Sequence, residues 1–269
     1  MTRKPGTAEA LYNNRAAVPD HPAVMARWRG TAVAARALHP PVKLAYGPGP
    51  RETIDLFEAP RPAQGGPVVV FIHGGYWQAL DPSWFSGIAP AFLAHGVGVA
   101  IPAYDLCPDV PLARIVDQMR AAVDMVTALT GRVPVVFGHS AGGHLAACLL
   151  GEGRAAAAVA ISGVFDLEPL IETSLNTALG LDVGTARALS PLHWVVPQGG
   201  VLDCVVGGDE TAAFLEQSRT MAEVWGAQGA VTRYQALPGL NHFTVLDPLL
   251  DPDSALVARI VALSCSSAG

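Results

Sequence analysis

Short apolar segments that alternate with helix-forming segments are the feature that most constrains the fold of this chain. Six such segments cover residues 68–72, 97–101, 133–137, 157–161, 201–206 and 231–236. The hydrophobic pattern predicts helices between and after them, at residues 111–129, 141–150, 211–228 and 252–263. Buried strands separated by helices are typical of a mostly parallel sheet that helices cover on both faces. The sequence therefore predicts an α/β fold.

The remaining segments predict additions to this central sheet. Residues 42–46 and 53–58 alternate apolar and polar side chains around glycine and proline, which favours an antiparallel hairpin at a sheet edge. A helix is expected over residues 22–38, and we interpret residues 1–41 as an N-terminal flap. Residues 164–197 interrupt the strand-helix rhythm and are expected to form a short cap insertion. A chain of 269 residues with 51% hydrophobic residues can bury one large core, so we predict a single domain.

Charge and composition exclude several classes of partner. The net charge is -6, and the 17 lysines and arginines form no basic run, which argues against a nucleic-acid partner. Residues 1–6 precede no apolar signal region, and no apolar stretch approaches the length of a membrane span. We therefore expect a cytoplasmic protein without membrane contact; its oligomeric state is not indicated by the sequence. The four cysteines are far apart and form no C-x-x-C pair, which argues against a zinc site or a disulfide framework.

One motif points to a nucleophile. Gly138-His139-Ser140-Ala141-Gly142 has the pattern G-x-S-x-G and joins a predicted strand to a predicted helix. In this context the serine stands on a sharp turn with its hydroxyl exposed above the sheet, and the glycines allow close backbone packing. The motif predicts Ser140 as the nucleophile of a serine hydrolase.

A serine hydroxyl needs a general base, and the base needs a carboxylate that orients it. In folds with this motif, the acid and then the histidine follow later strands. Asp209 follows the strand at 201–206, and His242 follows the strand at 231–236. We predict Asp209 and His242 as the partners of Ser140. Glu210 remains an alternative acid, because a loop shift of one residue would exchange it with Asp209.

A second motif supplies a site for negative charge. His73-Gly74-Gly75-Tyr76-Trp77 follows the predicted strand at 68–72. Acyl transfer places negative charge on the substrate oxygen, and glycines let backbone N–H groups face it. We expect an oxyanion hole from the N–H groups of Gly74, Gly75 or both, together with that of Ala141.

Metal binding is a weaker interpretation. His73, His139 and His144 could supply three imidazoles, but their spacing lacks an H-E-x-x-H or similar pair of ligands. We therefore predict no metal site.

Together these motifs resemble the α/β-hydrolases and, within them, the kynurenine formamidase (arylformamidase) group with its H-G-G-x-W signature. The resemblance covers residues 42–250. It rests on residues 73–77, 103–108, 138–144, 162–170, 208–210 and 241–243, together with Phe214 and Gln217. It implies hydrolysis of N-formyl-L-kynurenine to kynurenine and formate by Ser140, Asp209 and His242, without a metal or organic cofactor.

The substrate side is less constrained by the sequence. An aryl formamide requires flat apolar walls, which aromatic side chains provide. Candidates are Tyr76, Trp77, Tyr104, Phe165 and Trp194, of which we assign Tyr76 and Trp77 to the site. Trp77 could equally anchor the glycine loop by packing. Two other functions stay open: a short-acyl carboxylesterase, similar to bacterial proteins that share residues 12–16, and a non-catalytic binding protein on the same fold.

Overall fold

The structure, a computed structural model, describes residues 7–59 and 66–266. Within these ranges eight strands form one sheet in the order β1-β2-β4-β3-β5-β6-β7-β8. The strands are β1 (Val42–Ala45), β2 (Thr53–Phe57), β3 (Val68–Ile72), β4 (Gly98–Pro102), β5 (Val135–His139), β6 (Ala157–Ile161), β7 (Val201–Gly207) and β8 (Val231–Leu237). The β1-β2 and β2-β4 pairs are antiparallel, and every other pair is parallel. The predicted mostly parallel sheet with an antiparallel hairpin at its edge is confirmed.

The helices among the described residues are α1 (Ala8–Tyr12), α2 (Asn14–Ala17), α3 (His21–Leu38), α4 (Ala89–Leu93), α5 (Leu112–Thr130), α6 (Ala141–Gly151), α7 (Asn176–Leu179), α8 (Val183–Ala188), α9 (Ala212–Ala227) and α10 (Ala255–Ser266). All five predicted helices are present, with ends shifted by no more than three residues. The largest shifts are at the two ends of α10; at its start, Ser254 Oγ accepts a hydrogen bond from Val257 N at 3.2 Å. Strand β5 begins after Pro134 because proline has no N–H to donate to the ladder. The five short helices are not predicted by the sequence pattern.

Successive side chains along the strands point to opposite faces of the sheet and pack into two apolar layers. Val70 and Ile72 belong to one layer, which α5, α6 and α9 cover. Val69 and Phe71 belong to the other layer, which α3, α4 and α10 cover. Because both faces of the central strands are buried, these strands are apolar at nearly every position. The sheet therefore forms a rigid platform whose strand ends carry the loops of the site.

Two segments lie beside this platform. Helices α1 to α3 occupy the described part of the predicted flap; residues 1–6 of that flap lie outside the described residues. The segment 164–197 contains α7, α8 and two short 3-10 turns, Glu168–Glu172 and Pro191–His193. The division into flap, domain and cap stays a prediction. No helix in the described ranges is long and apolar enough to cross a bilayer.

Candidate active site

Ser140 occupies a sharp turn between β5 and α6. Its φ of 56° lies in the left-handed region, which is costly for a residue with a side chain. The turn closes tightly: a Cβ on Gly138 would lie 2.2 Å from Gly142 O, and a Cβ on Gly142 would lie 1.9 Å from Ile72 O. Both positions thus require glycine. The predicted strand-turn-helix context of Ser140 is present.

The glycine loop after β3 lies against Ser140. A Cβ on Gly74 would lie 3.0 Å from the Cβ of Ser140, and Gly75 has a φ of 114° that favours glycine. The N–H groups of Gly74, Gly75 and Ala141 donate to no acceptor within the described residues. Gly74, Gly75 and Ser140 all line one cleft. The loop therefore brings unused backbone donors next to the serine.

His73 holds this loop in place. Its ring stacks between Phe85 and Tyr104, with centroid distances of 5.7 and 4.4 Å. Its Nδ1 lies 2.8 Å from Gly74 O, and the Tyr104 hydroxyl donates to His73 O at 2.9 Å. Below it, Arg51 donates to Tyr104 O at 2.6 Å and to Leu80 O at 2.8 Å. These contacts fix the loop that follows β3.

The acid next to His242 is Glu210, and the prediction of Asp209 is wrong. Glu210 Oε2 lies 2.6 Å from His242 Nδ1, and the Glu210 side chain is fully buried. Asp209 is exposed and uses its backbone N–H to bond Leu240 O at 3.0 Å. The turn after β7, in which Glu210 N donates to Gly207 O, directs the second carboxylate of the pair inward. The alternative that the sequence left open is the observed one.

Ser162 was missed by the sequence reasoning. It follows β6, has a φ of 52°, and donates from its Oγ to Glu210 Oε1 at 2.5 Å. The N–H of Gly207 donates to the same oxygen at 2.8 Å. Glu210 therefore accepts two hydrogen bonds at Oε1, from Ser162 and Gly207, and contacts His242 through Oε2. The one signal in the sequence was that Ser162 is the first residue of the 162–170 motif. That motif does not indicate what the Ser162 hydroxyl contacts.

His242 is held from its backbone as well as from its ring. Its carbonyl oxygen lies 2.8 Å from Nε2 of His139, and the Phe214 ring packs 4.5 Å from its own ring. Asn241 Oδ1 accepts from the N–H groups of Phe243 and Thr244, which closes the loop after β8. Ser140 and His242 both line the cleft, with no hydrogen bond between them in the described part of the chain.

His73, His139 and His144 each bond a different backbone carbonyl. The acceptors are the oxygens of Gly74, His242 and Leu189, at 2.8, 2.8 and 2.7 Å respectively. Because a carbonyl oxygen only accepts, the bonded ring nitrogen carries the proton. Burial lowers the pKa of His73 and His144 to about 4 and lowers that of His139 well below its usual value. All three are therefore neutral at pH 7 and serve as donors.

The cleft above Ser140 has a volume of about 320 Å³, and aromatic side chains form part of its walls. Tyr76 lines the cleft, and its role in substrate binding stays a prediction; Trp77 does not line the cleft, so its assignment to substrate binding is wrong. Trp77 is fully buried and packs edge-on against His144 at 5.1 Å, so it anchors the loop from behind. Tyr104, Phe165 and Trp194 do not reach the cleft either.

The N-terminal helices supply walls that the sequence did not assign. The further aromatic residues of the cleft are Tyr12, Trp28, Phe85 and Phe243, and Asn14 and Arg15 also line it. Tyr12 lies at the end of α1 and Trp28 in α3, so it is the packing of these helices that brings both side chains to the cleft.

One group of side chains could approach a metal ion. The ligand atoms of Asp166, Glu168 and His193 lie within 4.8 Å of one another. None of the three lines the cleft, and Arg187 pairs with Glu168 at 3.5 Å. This group is therefore separate from the candidate active site.

Comparison with known proteins shows the family to which the chain belongs. Residues 69–265 match the alpha/beta hydrolase family. Kynurenine formamidase of Drosophila melanogaster is 30% identical over 232 residues, which cover 78% of this chain and 77% of that protein. Kynurenine formamidase of Salmo salar is 27% identical over 239 residues, with 82% and 81% covered.

Solved structures share the fold. A Silicibacter sp. protein described as a candidate thioesterase superimposes with a TM-score of 0.82 at 35% identity, covering 95% of this chain and 99% of that one. An esterase from Thermogutta terrifontis has a TM-score of 0.66 at 20% identity, covering 84% of this chain and 92% of that one. The second likeness concerns the fold alone.

The chain belongs to the alpha/beta hydrolase family, and it is a hydrolase. Within the family it is similar to the kynurenine formamidases over about four-fifths of its length. Enzymes of this kind act on small molecules, so the cleft above Ser140 is its candidate active site.

Proposed function

We propose that the protein is a serine hydrolase that cleaves an aryl formamide, N-formyl-L-kynurenine, to L-kynurenine and formate. The observation that carries the proposal is the 2.6 Å contact between Glu210 and His242 in the cleft that also holds Ser140 and the glycine loop. An acid-histidine pair beside an elbow serine is the arrangement that activates a hydroxyl for acyl transfer. The similarity to kynurenine formamidases supports the choice of substrate.

In the first half-reaction, Ser140 Oγ attacks the formyl carbon while His242 Nε2 accepts its proton. Glu210 stabilises the imidazolium that forms and fixes its tautomer through Nδ1. The oxyanion of the tetrahedral intermediate faces the N–H groups of Gly74, Gly75 and Ala141. His242 then donates its proton to the arylamine nitrogen, and the C–N bond breaks. Kynurenine departs, and the formyl group stays bound to Ser140 as an ester.

In the second half-reaction, a water molecule attacks the formyl ester on Ser140. His242 accepts a proton from this water, and the same N–H groups hold the oxyanion. When the intermediate collapses, the bond between Ser140 Oγ and the formyl carbon breaks and His242 returns a proton to Ser140. Formate leaves, and the enzyme returns to its starting state without a cofactor.

The shape of the cleft supports a flat aryl group. Trp28, Tyr76, Phe85 and Phe243 provide aromatic surface around the serine. Gly74 packs closely on Ser140, since a Cβ added to Gly74 would lie 3.0 Å from Ser140 Cβ. Formyl is the smallest acyl group and is therefore the one that such a crowded site admits most easily.

A short-acyl carboxylesterase is the second candidate. It is favoured by the solved structure at 35% identity that is described as a candidate thioesterase, because thioesters and esters share the acyl-enzyme route. The experiment is to measure kcat/KM for N-formyl-L-kynurenine and for p-nitrophenyl acetate with the same enzyme preparation. We expect the formamide to be preferred; a strong preference for the ester would replace the formamidase proposal with the esterase.

A non-catalytic binding protein is tested separately. The intact protein should react with a fluorophosphonate probe, and the Ser140→Ala variant should not. Ser140→Ala should also abolish turnover while its circular dichroism spectrum stays that of the wild type. Absence of labelling in the wild type would favour the binding protein, and near-native turnover by the variant would exclude Ser140 as nucleophile.

A further inference from the structure

Arg15 is the one lysine or arginine among the described residues that line the cleft. Its side chain is exposed and makes no ion pair or hydrogen bond within the described ranges. Other arginines near the cleft are engaged: Arg27 pairs with Asp247 at 2.9 Å, and Arg51 bonds two backbone carbonyls. Arg15 thus offers a free guanidinium at the rim of the cleft above Ser140.

The backbone that carries Arg15 is held firmly. The Tyr76 hydroxyl donates to Tyr12 O at 2.5 Å, and Thr211 Oγ1 donates to Leu11 O at 2.6 Å. The neighbouring Asn14 is buried and donates to the Tyr76 hydroxyl at 3.4 Å. Because Tyr76 belongs to the glycine loop, these bonds fix the position of Arg15 relative to the oxyanion donors.

A negative charge lies on the same rim. Glu9 is the one carboxylate that lines the cleft within the described residues. It accepts from Ser174 N at 2.7 Å, from Ser174 Oγ at 3.0 Å and from Asn13 Nδ2 at 3.4 Å. These bonds lower the pKa of Glu9, so it is ionised at pH 7. A carboxylate has about four lone-pair sites, which leaves Glu9 able to accept from a ligand.

Arg15 and Glu9 form no ion pair with each other, since their charged atoms are not within 4.0 Å. A guanidinium without a partner and a carboxylate without a cationic partner among the described residues, both on the rim of the cleft, match the two charges of an amino-acid head group. The guanidinium can hold a carboxylate through two parallel N–H bonds, and Glu9 can accept from an ammonium group.

We infer that Arg15 binds the α-carboxylate and Glu9 the α-ammonium group of an amino-acid substrate whose aryl part fills the cleft. This inference rests on the proposed function and makes it more specific. If it is right, the enzyme prefers aryl formamides that carry an amino-acid head group to aryl formamides that have the same ring but lack that head group.

The test compares paired substrates that differ only in the head group. N-formyl-L-kynurenine is paired with 2′-formamidoacetophenone, and O-acetyl-L-tyrosine is paired with p-cresyl acetate. For each pair the ratio of kcat/KM, charged over neutral, is measured for the wild type, Arg15→Gln, Arg15→Lys and Arg219→Gln. Arg219 is the matched control, because it is exposed, packs over Tyr234 at 5.5 Å and lies outside the cleft lining.

We expect Arg15→Gln to lower the ratio about tenfold to a hundredfold, the usual effect of losing a hydrogen bond to a charged group. Arg15→Lys should restore part of the ratio, because the charge returns without the two-pronged geometry. Arg219→Gln should keep the wild-type ratio. Glu9→Gln should raise KM for N-formyl-L-kynurenine more than for the analogue that lacks only the amino group.

The two ideas fail in different ways. If the wild type hydrolyses neither formamide but cleaves the esters, the formamidase proposal fails, and the ester pair still tests Arg15. If the wild type hydrolyses the formamides and Arg15→Gln leaves both ratios at the wild-type value, the assignment of Arg15 is overturned. An equal fall for charged and neutral substrates would also overturn it, because it would indicate a general effect on the cleft.

Discussion

Glu210 Oε2 lies 2.6 Å from His242 Nδ1, although Asp209 stands one residue earlier in the same turn. The difference arises from the turn itself. The Asp209 backbone N–H bonds Leu240 O while its side chain is exposed, whereas the side chain of the next residue turns inward. There the carboxylate of Glu210 receives bonds from Ser162 Oγ and Gly207 N.

Neutralising the two carboxylates separately tests this arrangement. Glu210→Gln should lower kcat by about 10⁴, the loss seen when the orienting carboxylate of a serine triad is replaced by its amide. Asp209→Asn should change kcat by less than about twofold, because surface charges away from the reaction contribute little. Steady-state kinetics of both variants on the same substrate give the answer. A larger loss for Asp209→Asn would restore the assignment that the sequence first favoured.

The fold was predictable because its determinants are local and repeated. Five largely buried strands, the half-exposed strand β8 and the hairpin at 42–58 follow from the hydrophobic pattern. The positions of Ser140, His242, Gly74 and Gly75 follow from motifs at strand ends. The choice between adjacent carboxylates was not predictable, since it depends on one hydrogen bond in a turn. Likewise, Trp77 faces the core and Arg15 the cleft only because of how the glycine loop and the flap pack.

Gly74 should not tolerate a side chain. A Cβ there would lie 2.8 Å from His139 O and 3.0 Å from Ser140 Cβ, so Gly74→Ala must displace the loop from the serine. Misplacing one oxyanion donor costs about 10² to 10³ in kcat. Gly30→Ala is the matched control, because nothing lies within 4 Å of its Cβ position in α3 and activity there should be retained. A Gly74→Ala enzyme with wild-type kcat would exclude this loop from the oxyanion hole.

Ser162 is expected to be a positioning residue that acts through Glu210. Removing its hydroxyl leaves Gly207 N as the remaining donor to Glu210 Oε1, so Ser162→Ala should lower kcat about tenfold, as loss of a bond to a charged group does, with little change in KM. Ser162→Gly separates this role from backbone strain. It also lacks the hydroxyl but suits the φ of 52°, so it should lose as much kcat as Ser162→Ala while unfolding less easily than that variant. Recovery of kcat in the glycine variant would assign the effect to strain.

Stability should fall below neutral pH because buried histidines cannot take up protons in the folded chain. Burial lowers the pKa of His73 and His144 from 6.5 to about 4. Between these values the unfolded chain binds protons that the folded chain does not, so the free energy of unfolding is largest above pH 6.5 and decreases towards pH 4. The slope reaches about 1.4 kcal/mol per pH unit for each such histidine.

Urea unfolding at pH 7, 6 and 5 measures this loss. His144→Gln provides the comparison, because His144 is fully buried against Leu189 and Trp77 and does not line the cleft. The variant loses one buried imidazole, so its free energy of unfolding should decrease less steeply with falling pH than that of the wild type, even though it starts from a lower value. Parallel slopes for the two proteins would mean that His144 takes up its proton in the folded state, which its burial opposes.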